Sequence, residues 1–365
     1  MGQPLRIGIV GAGAISGAYL KTLPRLPGLQ LVGVADLDAD RAKAAASTAD
    51  VEALPVGDLV ASDAIDAVLN LTIPAAHAEV ALSALAGGKH VYGEKPLAVN
   101  MAEASGVLRA AADAGLRVGC APDTVLGTGI QTARKAVDDG LIGTPVAATA
   151  FMVTPGHERW HPDPEFYYRP GGGPLLDMGP YYLTALVHLL GPVRRVVGLS
   201  SRPRDTRTIL SGPKAGTSFA VEIDTHITGV LEHESGALST LVMSFDIWTG
   251  RLPRIEVYGS DGSLSAPDPN GFAGAVELWS PTSREWAELP VSAGYVEAAR
   301  GYGLADMARG ISVGRPHRAS AELAAHVLDV MESLLAAGKT GNAVEVGSTC
   351  DRPELVPVGA TPADA

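Results

Sequence analysis

The chain reads as an α/β protein of two domains: an N-terminal doubly wound parallel sheet, followed by a C-terminal α+β domain with an open, mostly antiparallel sheet. Three observations predict this. An apolar run at 5–10 passes directly into the turn Gly11-Ala12-Gly13 and then into a helical stretch. Up to residue 122, short apolar runs alternate with alanine-rich segments, the pattern of right-handed βαβ units covered on both faces. Beyond residue 123, longer strands follow one another without intervening helices, as in a sheet with one solvated face. The length of 365 residues agrees, since a single core seldom grows past about 250–300 residues.

In the first domain, residues 1–122, strands are expected at 5–10, 31–35, 67–71, 90–92 and 116–120, with helices near 39–48, 76–86 and 101–114. The second domain, 123–350, opens with a helix at 127–139 and continues with strands at 146–153, 193–201, 221–232, 237–245 and 254–259. Alternation through Glu222-Ile223-Asp224-Thr225-His226-Ile227-Thr228 is that of a half-buried antiparallel strand. Two late helices, 303–311 and 319–337, are expected to return and brace the first domain. The polar loop 202–218 reads as mobile and the tail 351–365 as loose.

Composition narrows the function. Hydrophobic residues make up 46% of the chain, yet no apolar run approaches the ~20 residues that span a bilayer. The segment 7–15 is broken by glycines and lacks a basic leader, and Arg6 stands where a myristoylation signal needs Ser or Thr; neither export nor a lipid anchor is expected. Two cysteines, Cys120 and Cys350, without CxxC or zinc spacing, argue against a disulfide framework or structural metal. A reducing cytoplasm is the expected compartment. A net charge of −12 with its 28 basic residues scattered argues against nucleic acid.

The first 36 residues carry the strongest motif. Gly11 allows a tight turn, Gly13 lets the backbone approach a pyrophosphate, and a helix beginning near Ala14 and Ile15 aims free N–H groups at it. Ser16 occupies the third glycine position. Asp36 ends the next apolar run, 19 residues beyond Gly17, where a carboxylate accepts from both ribose hydroxyls of an adenosine. The strand, turn, helix and acid together indicate a dinucleotide site. Leu37 offers no base to a 2′-phosphate, so the expected cofactor is NAD.

Ligands of such sheets bind beyond the carboxyl ends of the strands, where three further motifs fall: Thr72-Ile73-Pro74-Ala75-Ala76-His77, Glu94-Lys95-Pro96 and Asp177-Met178-Gly179-Pro180-Tyr181. Each has a plainer reading. His77 can be an ordinary residue at a helix start, Glu94 and Lys95 a solvated ion pair, Asp177 a helix cap, and Tyr181 a core aromatic. Together with the glycine turn and the run Gly171-Gly172-Gly173, however, they resemble the Gfo/Idh/MocA family of sugar and cyclitol oxidoreductases over residues 5 to about 340. The resemblance implies that the first domain is a Rossmann fold, that Lys95 is the catalytic lysine, that His77 lies near the nicotinamide, and that Asp177 holds a substrate hydroxyl. Thr72, Pro74 and Glu94 join the cofactor set.

The chain departs from the family at one point. Many members carry histidine four residues after the aspartate and an acid three residues further; here these are Tyr181 and Thr184. A phenol can take the histidine's place when cations beside it favour the phenolate. Tyrosine there also resembles relatives that use NAD to break glycosidic bonds by transient oxidation. The stretch Pro155 to Arg169 adds His157, Arg159, Trp160, His161 and Tyr168, a mixture suited to the apolar face and hydroxyls of a pyranose. The prolines at 162 and 164 forbid the regular helix that a metal set from His157, His161 and Glu165 would need, so no metal is expected.

These readings converge on an enzyme that transfers hydride between NAD and a ring hydroxyl of a sugar, glycoside or cyclitol, with Lys95, Tyr181 and Asp177 as its catalytic residues. A redox-cycling glycoside hydrolase and a non-catalytic sugar or nucleotide sensor are the alternatives. The expected partners are a small sugar or glycoside and further copies of the chain, joined through the open sheet, with no nucleic acid and no membrane.

Overall fold

Six strands form a parallel sheet: β1 (Leu5–Val10), β2 (Leu29–Ala35), β3 (Glu52–Ala53), β4 (Ala67–Asn70), β5 (His90–Gly93) and β6 (Val118–Cys120), in the spatial order β3-β2-β1-β4-β5-β6. This describes the computed structural model of the chain over residues 3–363. Strand order reverses between β1 and β4, and the crevice at that switch is where a doubly wound sheet binds its ligand. Ile9 pairs with Val34 on one side and Leu69 on the other, and all three are fully buried; covered faces explain why these strands read as continuous apolar runs.

Helices α1 (Ser16–Thr22), α2 (Ala39–Ala49), α3 (Val56–Ala61), α4 (His77–Ala86) and α5 (Met101–Ala114) connect the strands. The Asp38 side chain caps α2 by accepting from the Asp40 and Arg41 amides, and Asn100 caps α5 by accepting from Glu103 N–H. One boundary differs from expectation: α1 starts at Ser16 rather than near Ala14, because the Ser16 amide donates back to Gly13 O within the glycine turn.

The second unit comprises residues 132–291 and 329–352. After α6 (Thr128–Asp138), β7 (Pro145–Val153), α7 (Pro174–Leu190) and β8 (Val193–Ser201) lead to the short hairpin of β9 (Thr206–Thr208) and β10 (Ser218–Ala220). Strands β11 (His226–His233), β12 (Leu238–Ser244), β13 (Ile255–Gly259), β14 (Ser263–Ala266), β15 (Glu277–Trp279) and β16 (Trp286–Glu288) follow. With β17 (Val344–Glu345) they make a nine-stranded sheet, β16-β15-β14-β13-β7-β12-β11-β8-β17, antiparallel throughout except for the β7–β12 pair.

Helix α7 packs on one face of this sheet through β7, β11 and β12, and the 329–340 part of the last helix packs beside it. There Gly198 and Gly229 let strands pass directly beneath Leu334; a Cβ at Gly229 would sit 2.5 Å from its Cδ1. The opposite face keeps Val197, Leu199, Val230 and Leu238 partly exposed.

Three expectations need correction here. The strands beyond residue 123 do not run on without helices, since α7 lies between β7 and β8. The strand foreseen at 221–232 begins only at His226, since 218–220 pairs with β9 instead. The loop 202–218 is pinned rather than mobile: Arg207 is buried, and its guanidinium is held by Glu158, Asp246 and the Phe245 carbonyl.

Residues 292–328 and 353–365 belong to the first unit. They include α8 (Tyr302–Val313) and the start of α9 (Ala321–Thr340). The fully buried Asp123 carboxylate accepts from the Gly301 and Gly303 amides at 2.8 and 3.2 Å, and burial pushes its pKa above the usual carboxylate value. The tail, expected to be loose over 351–365, is tied down. Val356 is fully buried and donates to Gln131 Oε1, while Arg318 donates to the carbonyls of Glu354 and Leu355. Residues 364–365 lie outside the described residues.

Candidate active site

In the first unit, the turn after β1 is shaped by close backbone approach. Gly11 has φ +102°, and a Cβ there would lie 2.6 Å from the Leu71 carbonyl carbon, so only glycine fits. A Cβ at Gly13, by contrast, would meet nothing within 4 Å. This leaves open space against the backbone, and the amides of Gly13, Ala14 and Ile15, preceding the helix, are those a phosphate would meet. Asp36 at the end of β2 accepts from Ala12 N–H at 2.7 Å through Oδ2 and from Asp38 N–H at 2.8 Å through Oδ1. Each oxygen keeps lone-pair capacity for a ribose hydroxyl. These residues fit a dinucleotide.

The neighbourhood of Asp36 corrects one expectation. Leu37 is 97% exposed and offers nothing to a ligand, but a base is present: Arg41 Nη2 lies 3.7 Å from Asp36 Oδ1, its Nε bonded to Asp38. The sequence hid it because the first turn of α2 brings residue 41 back over the strand end.

Beyond β4, the Thr72 hydroxyl donates to Asn70 Oδ1 at 2.6 Å, and Pro74 opens a single 3-10 turn at the rim. His77 is buried with Nδ1 2.6 Å from Pro96 O and Nε2 3.0 Å from Thr72 O. Its ring ties the Thr72 loop to the segment after β5 through both nitrogens. Glu94 is no solvated loop residue. It is buried, accepts from the Tyr19 hydroxyl at 2.8 Å and from Lys95 N–H at 3.1 Å, and so fixes the lysine's backbone against α1. Burial, reinforced by Glu94, raises the Tyr19 pKa well above its ordinary value, keeping the phenol a donor. Contacts therefore run unbroken from Asp36 through Ala12, Gly11, Thr72 and His77 to Pro96, next to Lys95.

In the second unit, Asp177 stands in the first turn of α7 with Tyr181 one turn further on the same face. His157 Nε2 lies 3.4 Å from Asp177 Oδ2. The imidazole packs against Tyr167, Phe245 and Trp160 at centroid distances of 4.2, 4.4 and 5.2 Å. His161 follows edge-on to Trp160, and Arg159 lies 4.2 Å over the Trp248 ring.

Tyr168 does not belong with them. It is completely buried, its hydroxyl accepts from His157 N–H at 3.0 Å and donates to Glu158, and burial together with that bond pushes its pKa up. It cannot touch a substrate; it props the loop from behind.

Behind Tyr168, Arg207 Nη1 donates to Glu158 Oε1 at 2.7 Å and Nη2 to Phe245 O at 2.9 Å, with Asp246 as second carboxylate. Thr225 in turn donates to Asp246 Oδ2 at 2.6 Å. Sequence reasoning missed Tyr167, Phe245, Glu158, Arg207, Asp246 and Trp248 as contributors. Phe245 and Asp246 were detectable as the end of an apolar strand, where parallel and mixed sheets put their sites. Arg207, in a polar loop, gave no signal.

Comparison with known proteins identifies the family. Residues 5–121 match the oxidoreductase family with NAD-binding Rossmann fold, and residues 130–265 match the GFO/IDH/MocA C-terminal domain. Inositol 2-dehydrogenase 3 of Saccharopolyspora erythraea is 29% identical over 289 residues, 78% of this chain and 80% of that protein. Myo-inositol 2-dehydrogenase of Thermotoga maritima is 28% identical over 72% of this chain and 75% of its own length. An NAD binding oxidoreductase from Klebsiella pneumoniae, whose crystal structure is known, superposes with a TM-score of 0.80 at 24% identity, covering 94% of this chain and 99% of that one. Its cofactor is NAD, and this chain belongs to the GFO/IDH/MocA family of oxidoreductases.

Proposed function

We propose that the chain oxidises a ring hydroxyl of a sugar, glycoside or cyclitol. The observation that carries this is the Asp177–His157 pair at 3.4 Å, one helical turn before Tyr181 and walled by aromatic rings: a hydroxyl-binding set inside the apolar surface that a saturated ring needs. NAD supplies the hydride acceptor. In this reading the Lys95 ammonium and the Tyr181 phenol hold the reacting hydroxyl, one of them taking its proton as hydride leaves the carbon, while Asp177 fixes the neighbouring hydroxyl. Gly11, Gly13, Ala14, Ile15, Asp36 and Thr72 are assigned to the dinucleotide and His157 to the ring that is oxidised, with Trp160 and His161 further out along the same substrate. The enzyme is placed in the cytoplasm, with a second copy covering the half-exposed apolar face of the nine-stranded sheet.

Tyr181 favours a second reading, glycoside cleavage without net change of cofactor, in which the phenolate removes the proton from the carbon next to the transient ketone. One experiment tests both: incubation with sugars, inositols and glycosides while NADH absorbance and released sugar are followed together, for the wild type and Lys95→Ala. Stoichiometric NADH with glycosidic bonds intact is the expected result; catalytic sugar release at constant cofactor selects the second reading. Lys95→Ala should lose at least about a thousandfold in kcat with NAD affinity held within a few-fold. A variant retaining a tenth of the rate removes Lys95 from the mechanism.

A further inference from the structure

The aromatic groups around His157 do not end at its nearest neighbours. Starting from Asp177, the contacts step outward through His157 to Trp160 at 5.2 Å, Trp160 to His161 at 5.3 Å, and by a second branch through Tyr167 to Phe166 at 4.0 Å. His157 at the inner end is buried. Trp160 and Phe166 at the outer end are 60% and 53% exposed, and Trp248, beneath the Arg159 guanidinium, is 64% exposed.

Exposed aromatics of this size gathered on one loop system mark a binding surface. The His157 imidazole beside Asp177 is already packed on Tyr167 and Phe245 without them. Holding the outer rings in place also takes a rigid support: the buried Arg207 with Glu158 and Asp246 fixes the backbone from which Trp160 springs.

We propose that this outer shelf is a subsite for a second sugar ring, so that the substrate is a disaccharide or longer glycoside rather than a free monosaccharide or cyclitol. The inference rests on the oxidoreductase reading above and specifies its substrate. Its chemistry suits a pyranose: flat indole faces cover the axial C–H surface of the ring, while His161 and Arg159 at the edges offer donors to its equatorial hydroxyls. Position suits it as well: the Trp160 indole packs directly on the imidazole beside Asp177, with ring centroids 5.2 Å apart, so its exposed face adjoins the Asp177 site.

The test compares kcat/KM for methyl glycosides of glucose, galactose and N-acetylglucosamine with their α1,4- and β1,4-linked disaccharides, on the NAD-loaded full chain, following NADH and sugar release. The wild type should prefer at least one disaccharide over the matching methyl glycoside. That ratio should fall about tenfold in both Trp160→Ala and Trp248→Ala, with KM carrying the change. Since both indoles are mostly exposed, folding is checked by thermal melts, and Trp160→Phe should recover most of the ratio. A wild type indifferent to the second ring, or variants that lose both substrates in equal proportion, overturns the subsite while leaving the oxidoreductase reading intact. Absence of turnover on every sugar of either length overturns both.

Discussion

The proposed cofactor cradle of the first unit and the proposed sugar face of the second are built from different materials. The cradle is backbone: Gly11 pressed on Leu71, Gly13 facing open space, and peptide carbonyls of Thr72 and Pro96 holding His77. The sugar face is side chain on side chain, with His157 among Tyr167, Phe245 and Trp160, and Tyr168, Glu158, Arg207 and Asp246 stacked behind it. A cradle made of peptide groups meets a phosphate with the same N–H donors whatever side chains surround it. A face made of side chains can change its ligand without changing the fold.

The sharpest way to break that comparison is at Arg207. Its guanidinium is 1% exposed between two carboxylates, and removing it leaves Glu158 and Asp246 buried without compensation. Arg207→Met should destabilise the second unit by about 3–5 kcal/mol, with the loss read from chemical denaturation and with NAD binding to the first unit unchanged. If stability falls by less than about 1 kcal/mol, the sugar face does not depend on this buried support.

Next in size is Gly13→Ala. Because no protein atom lies within 4 Å of the added methyl, the melting temperature of the free chain should not move, while NAD affinity should drop about a hundredfold as the methyl occupies the space of the pyrophosphate. Gly11→Ala, which meets the Leu71 backbone at 2.6 Å, should instead lose stability along with affinity. Equal NAD binding by wild type and Gly13→Ala would show that the phosphates lie elsewhere.

The same contrast explains what the sequence could reveal. Strands β1 to β6 and the glycine turn depend on neighbours a few residues away, so periodicity and spacing carry them. Asp36 was legible because its distance from the turn is set by one helix and one strand. Arg207 and Glu158 are 49 positions apart, and Tyr168 was misjudged, for a tyrosine in a loop looks the same whether its ring faces a ligand or the core. Arg41 is hidden for a smaller reason: it stands five positions beyond Asp36, and the turn of α2 is what delivers it to that carboxylate. The tail was misjudged because Val356 and Pro357 carry no periodic signal, and the residues that hold them, Gln131, Ala293 and Gly294 among them, are distant in sequence.

The smallest predicted effect concerns the one place where the cradle's selectivity rests on side chains. In the proposed cradle a 2′-phosphate would meet the Asp36 carboxylate, and like charges in contact cost several kcal/mol. Arg41 now lies against that carboxylate at 3.7 Å and against Asp38 at 3.1 Å, with its outer surface in solvent. Replacing Asp36 by serine removes the repulsion and releases Arg41 Nη2 at the same stroke. Asp36→Ser alone should therefore weaken NAD about tenfold and strengthen NADP by a similar factor, with no basic residue introduced at position 37, whose side chain points into solvent. Titrating NADH and NADPH fluorescence against the wild type, Asp36→Ser and Asp36→Ser with Arg41→Ala reads the effect directly. The double variant should bind NADPH more weakly than the single one; equal affinity would mean that Arg41 stays with Asp38 and never reaches the phosphate, leaving Asp36 as the sole selector.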